Sequence, residues 1–266
     1  MRSAVDASRS RPGWCYSQPR VPATCPQTPV NPPAASRRAR YAALMAERRG
    51  PDRWIFDVWS MFYDAPLVQW LTYRPEQDAV LRALRNGRHE RLLDVGCGTG
   101  LLSARIRREL PGCCVVGCDF SRGMLQRAAA KRAGVAWVRG DALHLPFADT
   151  SFDVLVSTEA FHWFPDQPAA LTEFLRVLAP GGRLLVSLIN PPVAALSRLT
   201  RAGSALLGEP LYWPTRSRMR RQVEAAGFRV EAQRRVFRVP AGLVLPSVLT
   251  EAVRPRNAAD AVQPGS

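Results

Sequence analysis

The pattern of apolar and polar positions changes character twice along the chain. Over residues 1–40 no period is sustained, and prolines stand at 12, 19, 22, 26, 29, 32 and 33 among many arginines and serines. Such a segment buries too little apolar surface to offset the entropy of ordering it, and it reads as disordered. Residues 1–44 are therefore read as an Arg/Pro-rich leader. The more protein-like stretch from Met45 raises the alternative that the leader is not translated. Aromatics then cluster over 54–73. Trp54, Phe56, Trp59, Phe62 and Tyr63 fall at roughly helical spacing, and Pro66 divides two short predicted helices. A further helix is predicted over 75–87, with Val80, Leu81 and Leu84 on one side and Gly87 at its end. Residues 45–90 thus form a helical cap.

From residue 91 short apolar runs alternate with helical stretches. Strands are predicted at Arg91–Val95, Cys114–Cys118, Val135–Arg139, Phe152–Ser157 and Gly182–Ser187. Helices are predicted at Leu101–Glu109, Ser121–Arg132 and Pro168–Leu178. That alternation implies a parallel sheet covered on both faces, and right-handed crossovers make it doubly wound. Residues 191–213 break the rhythm with Pro191–Pro192 and a short apolar helix, and a helix over 215–226 ends at Gly227. Two last strands, Phe228–Val239 and Leu243–Val253, are joined only by Pro240–Gly242, so they pair antiparallel. The expected fold class is α/β: a doubly wound, Rossmann-like sheet of seven strands, mostly parallel, with an antiparallel C-terminal hairpin. Residues 91–253 form the main domain and 254–266 a flexible tail.

Composition adds little to this until the charge is located. The chain is 47% hydrophobic and 22% charged, an ordinary soluble balance. Its net charge is +15, with a pI of about 10.9, which by itself suggests nucleic acid or an anionic membrane. Lys131 is the only lysine, and an arginine-heavy composition also follows from GC-rich codons. Residues 1–53 carry +7, residues 54–213 carry +2 and residues 214–266 carry +6. The excess sits at the ends, so nucleic acid is disfavoured as a partner. No run reaches the ~20 apolar residues of a membrane span, and no apolar run follows the first arginines as a secretory signal requires. Cys15, Cys25, Cys97, Cys113, Cys114 and Cys118 lack the spacing of a zinc site and read as small hydrophobes of a cytoplasmic protein. No metal is expected.

The chemistry concentrates at the ends of the predicted strands. Asp94-Val95-Gly96-Cys97-Gly98-Thr99-Gly100 lies where the first strand passes into a helix. Glycines there permit positive φ and close approach of a ligand to the backbone, and the helix N-terminus offers free N–H groups. Leu101 stands where a dinucleotide fingerprint wants its last glycine, and Asp94 would repel a pyrophosphate but suits a cationic amine. Asp119 ends the second strand, 19 residues after Gly100, where a carboxylate can accept from two ribose hydroxyls. The competing role is an N-cap for the following helix, which Ser121 could supply alone. Gly140-Asp141-Ala142, Leu145-Pro146-Phe147, Ser151-Phe152-Asp153-Val154 and Leu178-Ala179-Pro180-Gly181-Gly182 follow in order.

Together these residues resemble the class I S-adenosylmethionine-dependent methyltransferases, in particular the type 11 group that includes the ubiquinone and menaquinone enzymes. The resemblance runs from about Phe56 to Val253, and the pairs Phe56-Asp57 and Tyr63-Asp64 resemble the segment that lies over the cofactor in the quinone enzymes. It implies S-adenosyl-L-methionine as cofactor. The loop Gly96, Cys97, Gly98, Thr99 and Gly100 with Asp94 would hold the methionine part. Asp119 would hold the ribose, Phe120 and Met124 would lie beside the adenine, and Asp141 and Ala142 would meet its edge. Ser157 and Thr158 would border the sulfonium.

Methyl transfer needs the acceptor aligned with the methyl group, and a base only if the acceptor loses a proton. His162, in Glu159-Ala160-Phe161-His162-Trp163-Phe164 beyond the fourth strand, is the best candidate base, against an equal case for a structural histidine beside aromatics. His144 is weaker, and His89 is expected to face solvent. The acceptor expected is a small apolar or aromatic molecule, walled by aromatics of 54–73, Trp163, Phe164, Tyr212 and Trp213. The alternatives are an RNA or protein methyltransferase, or a protein that binds the cofactor without transfer. Asn190-Pro191-Pro192 follows the fifth strand rather than the fourth, so it is no base-methylation signature.

Overall fold

The structure, a computed structural model of the 266-residue chain, describes residues 73–85, 87, 89–206, 211–237, 246–257 and 260. The leader 1–44, the aromatic helices ahead of Tyr73, the joint Pro240–Gly242 and most of the tail lie outside the described residues. The elements are α1 (Arg74–Leu84), β1 (Arg91–Val95), α2 (Leu101–Glu109), β2 (Cys114–Asp119), α3 (Arg122–Ala130), β3 (Ala136–Arg139) and β4 (Phe152–Thr158). A 3-10 turn (Phe161–Trp163), α4 (Gln167–Val177), β5 (Leu178–Ile189), α5 (Ala194–Leu206), α6 (Arg216–Ala225), β6 (Arg229–Arg235) and β7 (Ser247–Val253) follow.

The seven strands form one sheet in the order β3-β2-β1-β4-β5-β7-β6. The first five pair parallel, and β7 lies antiparallel between β5 and β6. The expected doubly wound sheet with an antiparallel end is borne out. Most strand bounds differ from expectation by one or more residues, β5 and β6 among the furthest. β5 begins at Leu178 rather than Gly182, because Leu178 already pairs with Phe152 before the register shifts to Val154↔Arg183. β6 leaves the ladder after Arg235, earlier than the predicted Val239, and Val236 makes one last bond to the Ser247 carbonyl at 3.0 Å.

Both sheet faces are buried, as a parallel sheet requires. Leu93, Leu155, Leu184 and Val186 pack under Leu171 and Phe174 of α4 and Met219 and Val223 of α6. On the other face Leu92, Val154, Val156 and Leu185 meet Val80, Leu81 and Leu84 of α1 and Leu102 and Ile106 of α2. Each such side chain removed from water contributes about 1.5–3 kcal/mol, which is why these short strands hold. Helix starts are set by side-chain caps: Ser121, Asp166 and Thr215 accept from the N–H of Met124, Ala169 and Arg218. Cys97, Cys113 and Cys118 are buried free thiols. No helix among the described residues is long and apolar enough to cross a membrane.

Candidate active site

The carboxyl ends of β1, β2 and β4 converge at the point where the strand order reverses, which is where doubly wound sheets bind ligands. Gly96, Gly98 and Gly100 follow β1 with φ of +73, +54 and +76°, a region that L side chains rarely enter. A Cβ on Gly96 would lie 2.3 Å from the Ala160 Cβ, whereas a Cβ on Gly98 would project into open space. The loop is therefore tight on its inner side and open on its outer side. The N–H groups of Gly96 and Cys97 both donate to the Cys118 carbonyl, at 2.8 and 3.2 Å, and the Lys131 ammonium donates to the Thr99 carbonyl at 2.9 Å.

Asp94 is buried at the cleft floor, where its carboxylate accepts from the Ser103 hydroxyl of α2 at 2.5 Å. Burial pushes its pKa up to about 7, against the opposing Ser103 hydrogen bond. A carboxyl so disposed gains most from a cationic group. Asp119 accepts from the Gly98 N–H and from the Ser121 N–H, each at 2.8 Å. Burial raises its pKa too, and backbone donors from Ser121, Gly98 and Phe120 oppose that. Ser121 supplies the cap of α3, so Asp119 is not the N-cap. It ties the glycine loop to β2.

The next residues lie along the same edge. Phe120 is 37% exposed, with the Arg139 guanidinium 5.7 Å from its ring centroid. Met124 and Ala142 are buried, and Asp141 turns its own loop by accepting from the Leu143 N–H at 2.9 Å. Ser157 and Thr158 point to opposite faces of β4, as adjacent strand residues must. Thr158 lines the cleft. Ser157 is fully buried, and its hydroxyl has no hydrogen-bond partner among the described residues.

His162 is 5% exposed, with ring centroids of Trp163 and Trp213 each 5.3 Å away. Burial pushes its pKa down to about 3, so at neutral pH the ring is an uncharged group of low proton affinity. His89 departs from expectation. It is partly buried and meets the Leu84 carbonyl at 3.1 Å, at the end of α1, instead of facing solvent.

Two polar cleft residues escaped the sequence reading. Glu76 and Gln77 of the α1 entrance line the same cleft as Tyr73, Asp94, Gly96 and Thr158. The signal was present: Glu76, Val80 and Leu84 share one helical stripe, so a carboxyl stood on the buried face.

A family model described as a methyltransferase domain of type 11 matches residues 93–186. A demethylmenaquinone methyltransferase of Beutenbergia cavernae is 43% identical over 114 residues, 43% of this chain and 47% of that protein. This chain thus spans about half the length of that relative. Phthiotriol/phenolphthiotriol dimycocerosates methyltransferase 1 of Mycobacterium ulcerans is 31% identical over 221 residues, 79% of each chain. A solved S-adenosylmethionine-dependent methyltransferase from Thermotoga maritima shares the fold, with a TM-score of 0.60 at 22% identity over 75% of this chain and 98% of that one. The chain belongs to the type 11 S-adenosylmethionine-dependent methyltransferases. The residues present fit that family's cofactor: an open cradle above Gly98, an acid suited to an ammonium and a strand-end acid suited to a ribose.

Proposed function

We propose that the protein transfers the methyl group of S-adenosylmethionine to a small apolar or aromatic acceptor. One observation carries this reading: Asp94 and Gly96 of the positive-φ glycine loop line one cleft on the carboxyl edge of the sheet, and Asp119 holds that loop through the Gly98 N–H. When bound, the cofactor supplies an electrophilic methyl group for in-line displacement. Asp94 orients the cofactor by its ammonium, and the glycine loop admits its methionine part to the backbone. Asp119 accepts from the ribose hydroxyls. Phe120 and Met124 flank the adenine, with Asp141 and Ala142 at its edge. Thr158 borders the reacting centre, with Ser157 behind it. α1 excludes water from this end by burying Glu76 and Gln77 over the cleft.

The acceptor class rests on two supports. Relatives are named for demethylmenaquinone and for phthiotriol and phenolphthiotriol dimycocerosates. The segment beyond β4 is rich in aromatics: Phe161 and Phe164 meet edge to face at 5.7 Å, and the backbone N–H of Tyr212 donates to the His162 carbonyl at 2.9 Å, beside Trp213. His162 is proposed as part of the acceptor wall. It serves as a base only where the acceptor's proton is strongly acidic. The described part of the cap, α1, closes the cofactor end of the main domain.

Isothermal titration with S-adenosylmethionine tests the cofactor half, and transfer of labelled methyl into quinone and lipid extracts tests the acceptor half. Absence of both heat and thermal shift with the cofactor would overturn the reading. RNA binding with a steep salt slope that persists after deletion of residues 1–44 would move the acceptor to nucleic acid.

A further inference from the structure

Two carboxyls meet at the α1 end of the cleft. Glu76 stands in the first turn of α1 and is 2% exposed. Glu159 directly follows β4 in left-handed backbone, at φ +49°, a conformation costly for a residue with a side chain. Its own side chain is 12% exposed. The two carboxyls lie against each other. Their other neighbours are the Ser187 and Ser247 hydroxyls at Glu76, the Ile189 N–H donating to Glu159 Oε1 at 2.9 Å, and His162 Nδ1 at 3.9 Å from Glu159 Oε2. No arginine or lysine among the described residues pairs with either.

Two carboxyls in contact away from water do not both ionise; with one proton shared between them the pair carries one negative charge. Burial raises both from the usual carboxylate range. Packing alone does not call for this arrangement, since two apolar side chains would fill the space without desolvating a charge. A second observation points outward. Glu76 Oε2 is buried without a hydrogen-bond partner among the described residues, and Glu76 lines the cleft with Asp94, Gly96 and Thr158. A buried oxygen of this kind is stabilised when a ligand partners it.

We propose that Glu76, paired with Glu159, binds the positive sulfonium of the methyl donor and so distinguishes the charged donor from its neutral thioether product. The inference rests on the methyltransferase reading above. Donor and product share the ammonium that Asp94 receives. They differ by the S-methyl group and the sulfonium charge that comes with it, and methyl transfer removes both. The charge of the carboxyl pair is a fixed partner in a water-poor site, where attraction is strong. The product, lacking that partner, leaves more readily.

The test is calorimetric binding of S-adenosylmethionine and S-adenosylhomocysteine to the full chain. Wild type is expected to favour the donor by about tenfold or more. Glu159→Gln locks the charge on Glu76 and keeps the preference. Glu76→Gln moves the charge to Glu159, off the cleft, and cuts the preference to about threefold or less by weakening the donor alone. The double variant, neutral but still able to hydrogen-bond, abolishes it. A purely structural role would instead weaken both ligands equally in Glu76→Gln, and that result overturns the proposal. Equal affinity of wild type for the two ligands overturns it even if no variant folds. Binding of neither ligand by wild type would instead sink the methyltransferase reading itself.

Discussion

Asp94 shows how one residue ties the cofactor to stability. Its carboxyl is raised from 3.8 to about 7 by burial, so the folded chain keeps a proton that the unfolded chain releases. Stability from this group is complete below about pH 4 and is lost as pH rises through about 7, by at most about 4 kcal/mol. Thermal unfolding of the cofactor-free protein should therefore weaken over that window, and Asp94→Asn should flatten the slope. Stabilisation by the cationic cofactor should grow over the same window. Gly96 is equally exposed to test. Gly96→Ala adds a Cβ 2.3 Å from Ala160 in backbone at φ +73°, and about 2 kcal/mol or more should be lost in denaturant unfolding, with cofactor binding lost alongside. Asp94, Gly96 and Asp119 were legible because strand-end acids and glycines stand in a fixed local order. Glu76 and Glu159 were less so. Glu76 was not singled out in the helix predicted over 75–87, and the packing of α1 on β4 and β5 turned it inward. His162 was found as a position, but its neutrality follows from two tryptophans 50 residues apart in sequence closing on it.

At the scale of elements, the adenine edge depends on a brace from α4. Arg176 donates to the Leu145 and Phe147 carbonyls at 3.0 and 2.8 Å, and pairs with Glu173 and Asp149 at 2.8 Å each. Glu173 in turn accepts from the Leu145 N–H at 2.9 Å. The loop carrying Asp141 and Ala142 is thus fastened to a helix 30 residues away. Arg176→Ala should cost about 1–3 kcal/mol by leaving these groups unpaired. It should also speed amide exchange over residues 142–149 and weaken adenosine binding, while Phe152–Thr158 stays protected. The helix starts were readable from Ser121 and Thr215, since capping is a local bond. The beginning of β5 was not. Ala179-Pro180-Gly181-Gly182 reads as a turn, yet Leu178 joins the ladder because Phe152 faces it.

For the whole molecule, charge and topology separate cleanly. The +7 of residues 1–53 lies ahead of every described element that lines the cleft. Deleting residues 1–44 should leave cofactor affinity unchanged within about twofold by titration, and should remove most salt-dependent binding to RNA if any is present. The sequence alone determined that five strands alternate with helices, that two more return antiparallel, and which acids and glycines stand at strand ends. These are consequences of period, length and local hydrogen bonding, which act over a few residues. Only the tertiary structure decided that β7 lies between β5 and β6, that Thr158 rather than the Ser157 hydroxyl faces the cleft, and that α1 brings Glu76 against Glu159. Such relations join residues far apart in the chain, and burial, which sets their protonation, exists only once the layers have closed.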